Sequence, residues 1–103
     1  MTVSEAKQLI HKEHDTNKGL LLLFRMSFDV EKDRIERLLE ALQVIEGHYA
    51  DKTLIEINLV YKLLSLSDTL KASMSHWKVS RPEGLDKDTC WNIIDGIKRI
   101  FSN

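Results

Sequence analysis

From Asp51 to Trp77 the chain reads DKTLIEINLVYKLLSLSDTLKASMSHW, 27 residues without a Gly or a Pro. Alternation of Ile55, Ile57, Leu59 and Tyr61 with Glu56, Asn58, Val60 and Lys62 is what a strand shows. The polar residues decide against it. Asp51, Asn58, Lys62, Ser65, Thr69 and His76 are spaced 7, 4, 3, 4 and 7 apart, which puts them on one narrow stripe of a helix. Leu54, Ile55, Ile57, Leu59, Val60, Tyr61, Leu63, Leu64, Leu66 and Leu70 fill most of the remaining circumference. A helix apolar over most of its girth has to be covered on several sides, so it belongs in the middle of a helical domain.

A chain of 103 residues is enough for one domain with its own core. One Pro and four Gly leave little turn material for a many-stranded fold. Charge is balanced, 15 basic against 16 acidic residues. Counted by segment it is +1 over 1–28, −3 over 29–46, 0 over 47–77 and +1 over 78–103. None is basic enough for a nucleic-acid face. The lone Cys90 has no intramolecular disulfide partner. The longest early apolar run, Leu20–Phe24, falls far short of the roughly 20 residues of a spanning helix, and the opening MTVSEAKQLIHKEH has no signal-peptide pattern. The expectation is a cytoplasmic chain that binds neither membrane nor nucleic acid.

Thr2-Val3-Ser4-Glu5 has the spacing of a capping box, and the helix it opens carries Ala6, Leu9 and Ile10 inward. Asn17-Lys18-Gly19 is a place for that helix to close, with Gly19 in a left-handed cap. Residues 20–28 are ambiguous, because Leu22, Phe24, Met26 and Phe28 alternate as in a strand. With no second strand to pair with, 20–27 reads as helix, continuous with the first or bent at Gly19. Asp29 is placed as the next N-cap, with Glu31 and Asp33 in the first turn. Ile35, Leu38, Leu39, Leu42 and Ile45 form the inner face, Asp33 and Arg37 an i,i+4 pair, and Gly47 the stop. A link as short as His48-Tyr49-Ala50 makes the flanking helices antiparallel neighbours. After Trp77, KVSRPEGL reads as a loop. Asp86 caps the last helix, Leu85 and Cys90 make a hydrophobic staple, and Cys90, Trp91, Ile94, Ile97 and Phe101 line its inner face. The predicted fold is an all-α antiparallel four-helix bundle with helices near 2–27, 30–46, 51–77 and 86–101.

Little chemistry is visible. His11 and His14 are one turn apart beside Glu13 and Asp15, but a zinc site wants three ligands, and His48 and His76 sit at loops or helix ends. No Glu precedes a His by three residues, as helical di-iron sites require. His11-Lys12-Glu13-His14-Asp15 therefore reads as a solvated polar turn, with no metal and no cofactor. Cys90, on an apolar stripe, reads as a small buried hydrophobe rather than a nucleophile. Glu31, Asp33, Glu36 and Glu40, interleaved with Lys32, Arg34 and Arg37, read as a solvated face. A histidine phosphotransfer domain is a bundle of similar size, whose histidine is followed by Lys and Gly three and four residues on. Here Lys18 and Gly19 follow His14 at four and five, an offset that misplaces the lysine around the helix.

These features favour a non-enzymatic module that occupies another protein's surface, as an inhibitor, an immunity protein or an adaptor. The alternatives are a phosphotransfer-like signalling domain using His14 or His11, and a structural homo-oligomer such as a homodimer. In an up-down-up-down bundle the links near 27–29 and 78–85 fall at one end, so Phe28, Trp77, Arg81 and Pro82 are expected to gather there as the partner site. Should Trp77 be a core residue, the acidic face of Glu31, Glu36 and Glu40 is the next place to look.

Overall fold

The computed structural model describes residues 1–77 and 81–102. The described residues are helical, in five segments: α1 (Val3–Asp15), α2 (Leu20–Met26), α3 (Lys32–Tyr49), α4 (Ile57–Ser75) and α5 (Lys87–Phe101). α1 and α2 form one arm of a four-armed, up-down-up-down bundle of about 43 × 23 × 21 Å. The bundle was legible in the sequence; several of its boundaries were not. Part of the expected 78–85 loop, residues 78–80, lies outside the described residues.

The helix starts follow local chemistry. The Thr2 hydroxyl accepts from the Glu5 N–H at 3.1 Å and the Glu5 carboxylate accepts from the Thr2 N–H at 2.9 Å, a complete capping box. Asp86 accepts from the Thr89 N–H at 2.7 Å, and Leu85 and Cys90 are both buried where the staple was placed. Asp29 is different. It is not the cap of α3, whose N-cap position is Glu31 and carries no side-chain bond. Its carboxylate instead accepts from the Glu83 N–H at 2.8 Å, tying two loops together.

The first arm is not one helix. It breaks between Thr16 and Gly19, and Gly19 is extended, with φ −73° and ψ 161°, rather than a left-handed cap. Glycine is needed there for another reason: a Cβ would collide with the Glu13 carbonyl, because α2 starts tight against the end of α1. Gly47 does not stop α3 either. Nothing lies within 4 Å of where its Cβ would be, and the helix runs through it to Tyr49. A single exposed glycine costs about 1 kcal/mol, too little to end a helix whose packing continues to Ile45 and Tyr49. The expected Asp33–Arg37 ion pair is absent among the described residues.

α4 begins six residues later than expected, so the link from α3 is Ala50–Glu56. The longer link removes the constraint that made α3 and α4 neighbours. They lie across the diagonal, with α1 and α5 between them. α1 runs parallel to α4, where Lys7 reaches Glu56 and Asp15 reaches Lys62, both at 2.7 Å, and antiparallel to α3, where Met1 meets Glu40 and Glu13 meets Arg34. The core is filled by Ile10, Leu20, Phe24, Leu38, Leu42, Ile45, Leu59, Leu63, Leu66, Leu70 and Ile93, all fully buried.

The polar stripe of α4 lies as its spacing predicts. Asn58 is exposed and Lys62, Ser65 and Thr69 are half-buried, against fully buried Leu59, Leu63 and Leu66. The expectation that the rest of the helix is covered fails on one line. α4 sits at a corner, flanked by the α1–α2 arm and α5, and its outermost edge faces solvent. On and just before that edge stand Leu54 (83% exposed), Ile57 (81%), Tyr61 (64%) and Leu64 (46%).

Candidate partner-binding end

At one end of the bundle the 28–31 link and the 81–86 loop lie side by side. The Val30 N–H donates to the Glu83 carbonyl at 2.9 Å, antiparallel to the Glu83–Asp29 bond. Gly84, at φ +81°, passes so close to the Val30 carbonyl that no Cβ fits. Ser27 closes α2 in the left-handed conformation, φ 55°, and its hydroxyl meets that of Ser73 on α4 at 3.1 Å. A non-glycine residue held left-handed is strained, and here the packing of two helix ends holds it.

The four residues expected at this end lie on or next to its two links, in different surroundings. Phe28 (51% exposed) and Arg81 face solvent, and the Arg81 guanidinium also donates to the Leu85 carbonyl at 3.4 Å. Pro82 is buried, and Trp77 is half-buried against the core. The Trp77 indole N–H is buried with no acceptor among the described residues.

Beside Phe28 runs a groove of about 410 Å³ whose apolar wall is Leu22, Leu23 and Phe28, with Lys18, Asp29, Glu31 and Arg34 at its rim. At Lys18 and Arg34 it meets a larger groove of about 560 Å³ between α1 and α3, which carries Lys12 and Arg37. Lys12, Lys18 and Arg37 are in no ion pair among the described residues.

The side chain between the two grooves was misread from sequence. Glu13 belongs not to a solvated turn but to the interior, 5% exposed. Its carboxylate receives Arg34 Nη2 at 2.6 Å and Nε at 3.4 Å, and accepts the Leu20 N–H at 3.3 Å. Arg34 Nη2 also donates to the Lys18 carbonyl at 2.9 Å. One buried ion pair thereby fixes the break in the first arm and holds the guanidinium rigid, with Nη1 lacking an acceptor among the described residues. Nothing in the sequence marks Glu13 as buried, because α2 folding back over the end of α1 is what covers it.

The two histidines of that turn are separated by their surroundings. His11 Nδ1 accepts from the Lys62 ammonium at 2.8 Å, and Lys62 also reaches Asp15. His14 Nδ1 is 2.7 Å from Asp15, and its ring packs edge-on against Tyr61 with centroids 5.5 Å apart. Asp15 is held below the usual carboxylate range, first by its bond to Lys62 and then by His14. Among the described residues no three His, Cys, Asp or Glu side chains are arranged to hold a metal ion. Burial pushes the Cys90 thiol up to about 12, with Asp86 adding to it, so it carries almost no thiolate near neutral pH.

At the opposite end Glu56 joins three arms. It accepts from Lys7 at 2.7 Å and from the Tyr49 hydroxyl, while the Lys7 ammonium lies 5.2 Å from the centre of the Tyr49 ring. The bond from Lys7, then that from Tyr49, holds Glu56 down to about 2. No helix is long and apolar enough to cross a membrane among the described residues. No known protein family, curated protein or solved structure matches this chain.

Proposed function

We propose that this chain is a small protein-binding module that acts by occupying a partner's surface, and that the partner docks at the end built from 22–31 and 81–86. The observation that carries this reading is Phe28. A large aromatic stands half out of the protein beside an apolar groove, on a platform already locked by backbone bonds. An ordered platform loses little conformational freedom when it binds, so more of the contact energy survives as affinity. Aromatic and Arg side chains in such positions carry a disproportionate share of binding energy. The adjoining cations suit a partner segment that places an apolar side chain against Phe28 and carboxylates along Lys12, Lys18 and Arg37. The reading needs no chemical step, and inhibitor, immunity protein and adaptor are its concrete forms.

The test is a photo-crosslinking residue at position 28, with one at Asn92 as control, in extract of the source cells. A single protein trapped from position 28 alone supports the reading. Phe28→Ala should then weaken that complex by about 2 kcal/mol while helical circular dichroism and melting temperature stay put. Loss of the fold in Phe28→Ala, or equal trapping from both positions, would overturn it.

A further inference from the structure

We propose that the groove between α1 and α3 binds a phosphoryl group carried on a small molecule, held by Lys12, Lys18, Arg37 and the open edge of the Arg34 guanidinium. On these cations it takes the place that carboxylates of a docked partner fill. The binding belongs to the isolated chain and does not require Phe28, so it stands or falls apart from that reading.

Arg34 is the fixed point of this site. Three of its five N–H donors are spent inside the protein, Nε and Nη2 on the Glu13 carboxylate and Nη2 again on the Lys18 carbonyl. Glu13 is buried, and a buried carboxylate does not give up its cation cheaply. The guanidinium is therefore held in one orientation, and the two N–H groups of Nη1 have no acceptor among the described residues. A cation already fixed in place loses little freedom on taking up an anion, and the guanidinium fork matches phosphate oxygens.

Charge selects the ligand. The groove is lined by four bases, Lys12, Lys18, Arg34 and Arg37, and by two acids, Glu5 and Glu13. Positive charge is thus in excess by two, in a chain whose net charge is −1. Lys12, Lys18 and Arg37 have no ion-pair partner among the described residues to use that excess up. A phosphomonoester carries about −1.5 to −2 near neutral pH and three acceptor oxygens, a match that a single carboxylate does not make. The excess is confined to one groove rather than spread along a face, which disfavours a nucleic-acid backbone. Asp29 and Glu31 stand at the rim of the groove beside Phe28, so the anion belongs on the α1–α3 side. At about 560 Å³ this groove is far larger than a phosphoryl group, and Gln8 and Leu9 on its wall are left for the molecule that carries it.

Backbone amide NMR shifts during a titration with phenyl phosphate at low ionic strength test this. The expected result is a saturable set of shifts centred on residues 12–18 and 34–37. Benzoate should bind about tenfold more weakly, the worth of one charged hydrogen bond. Lys12→Glu should weaken phenyl phosphate by at least about tenfold, whereas Lys71→Glu makes the same charge change on α4 and should do little. Both lysines are exposed, so helical circular dichroism should be retained. Glu5→Gln keeps a residue that can complete the capping box and removes an acid from the groove, so it should tighten binding. Phe28→Ala should leave binding unchanged. No saturable shift at tens of millimolar phenyl phosphate, or shifts centred elsewhere, sinks the proposal on the wild-type chain alone. Equal losses in Lys12→Glu and Lys71→Glu would reduce the binding to diffuse attraction, and benzoate binding as tightly would remove the phosphoryl class. Loss of binding in Phe28→Ala would move the ligand to the other groove. Each of these overturns it.

Discussion

Each end of this bundle is tied by one glutamate that reaches across helices, and the two ties are built oppositely. Glu13 lies in the interior with one rigid guanidinium and one backbone N–H. Glu56 lies at the surface, its side chain 57% exposed, with an ammonium and a phenol. Both have short contacts, and in a static picture they look alike. Water makes the difference. A buried charge that loses its partner has nothing to replace it, whereas an exposed one is resolvated. Contact distance alone therefore says little about what a polar tie contributes, and the ends should respond very differently to the same kind of substitution.

Removing Arg34 should show the largest effect. Arg34→Met leaves the Glu13 carboxylate buried without its cation, which costs on the order of 3 kcal/mol. At roughly 4–8 °C per kcal/mol for a domain of this size, thermal unfolding should fall by more than 10 °C. A change as small as the one expected at Glu56 would mean that water reaches Glu13.

Gly19→Ala probes the same end without touching the charges. The new Cβ meets backbone, which cannot swing aside, so α2 has to shift away from α1. A loss of about 2 kcal/mol is expected, from strain and from misplacing the Leu20 N–H on Glu13. Gly47→Ala is the internal control, since its site is open and a helical alanine there should stabilise by up to about 1 kcal/mol.

The smallest effect belongs to Glu56. Glu56→Gln should cost no more than about 1 kcal/mol at neutral pH, because solvent screens an exposed pair. Its folded pKa, about 2, lies below the ordinary 4.5. The stabilisation it provides is therefore present above about 4.5 and disappears as the pH falls toward 2. Urea midpoints measured across that window should converge for wild type and Glu56→Gln as the pH drops. A gap that persists at the acid end would show that packing, not charge, holds this tie.

Reading sequence against structure follows the same division. Most local patterns were legible where the deciding partners were a few residues away, as with the Thr2–Glu5 box, the Asp86 cap, the Leu85–Cys90 staple and the buried stripe Leu59–Leu63–Leu66. The equally local Asp33–Arg37 pair did not form among the described residues. Other misreadings occurred where a residue's role depended on something distant in the chain. Asp29 looked like a helix cap and instead binds a loop 54 residues away. Gly47 looked like a stop, and the packing of Ile45 and Tyr49 carried the helix past it.

By itself, then, the sequence determined that this chain is helical and roughly where most inward faces lie, because helical periodicity and end-capping are set by neighbours within one or two turns. On α5 it placed Trp91 and Phe101 inward, and the structure leaves them 47% and 38% exposed. Tertiary structure alone decided the order of the helices around the bundle, once the α3–α4 link proved long enough to cross the diagonal. It decided that Glu13 is buried, since that depends on the chain breaking at Thr16–Gly19 and covering itself. It also decided that an apolar line of α4 faces water. A girdle of hydrophobic residues shows that a helix wants covering, but only the number and placement of its neighbours sets which side is left bare.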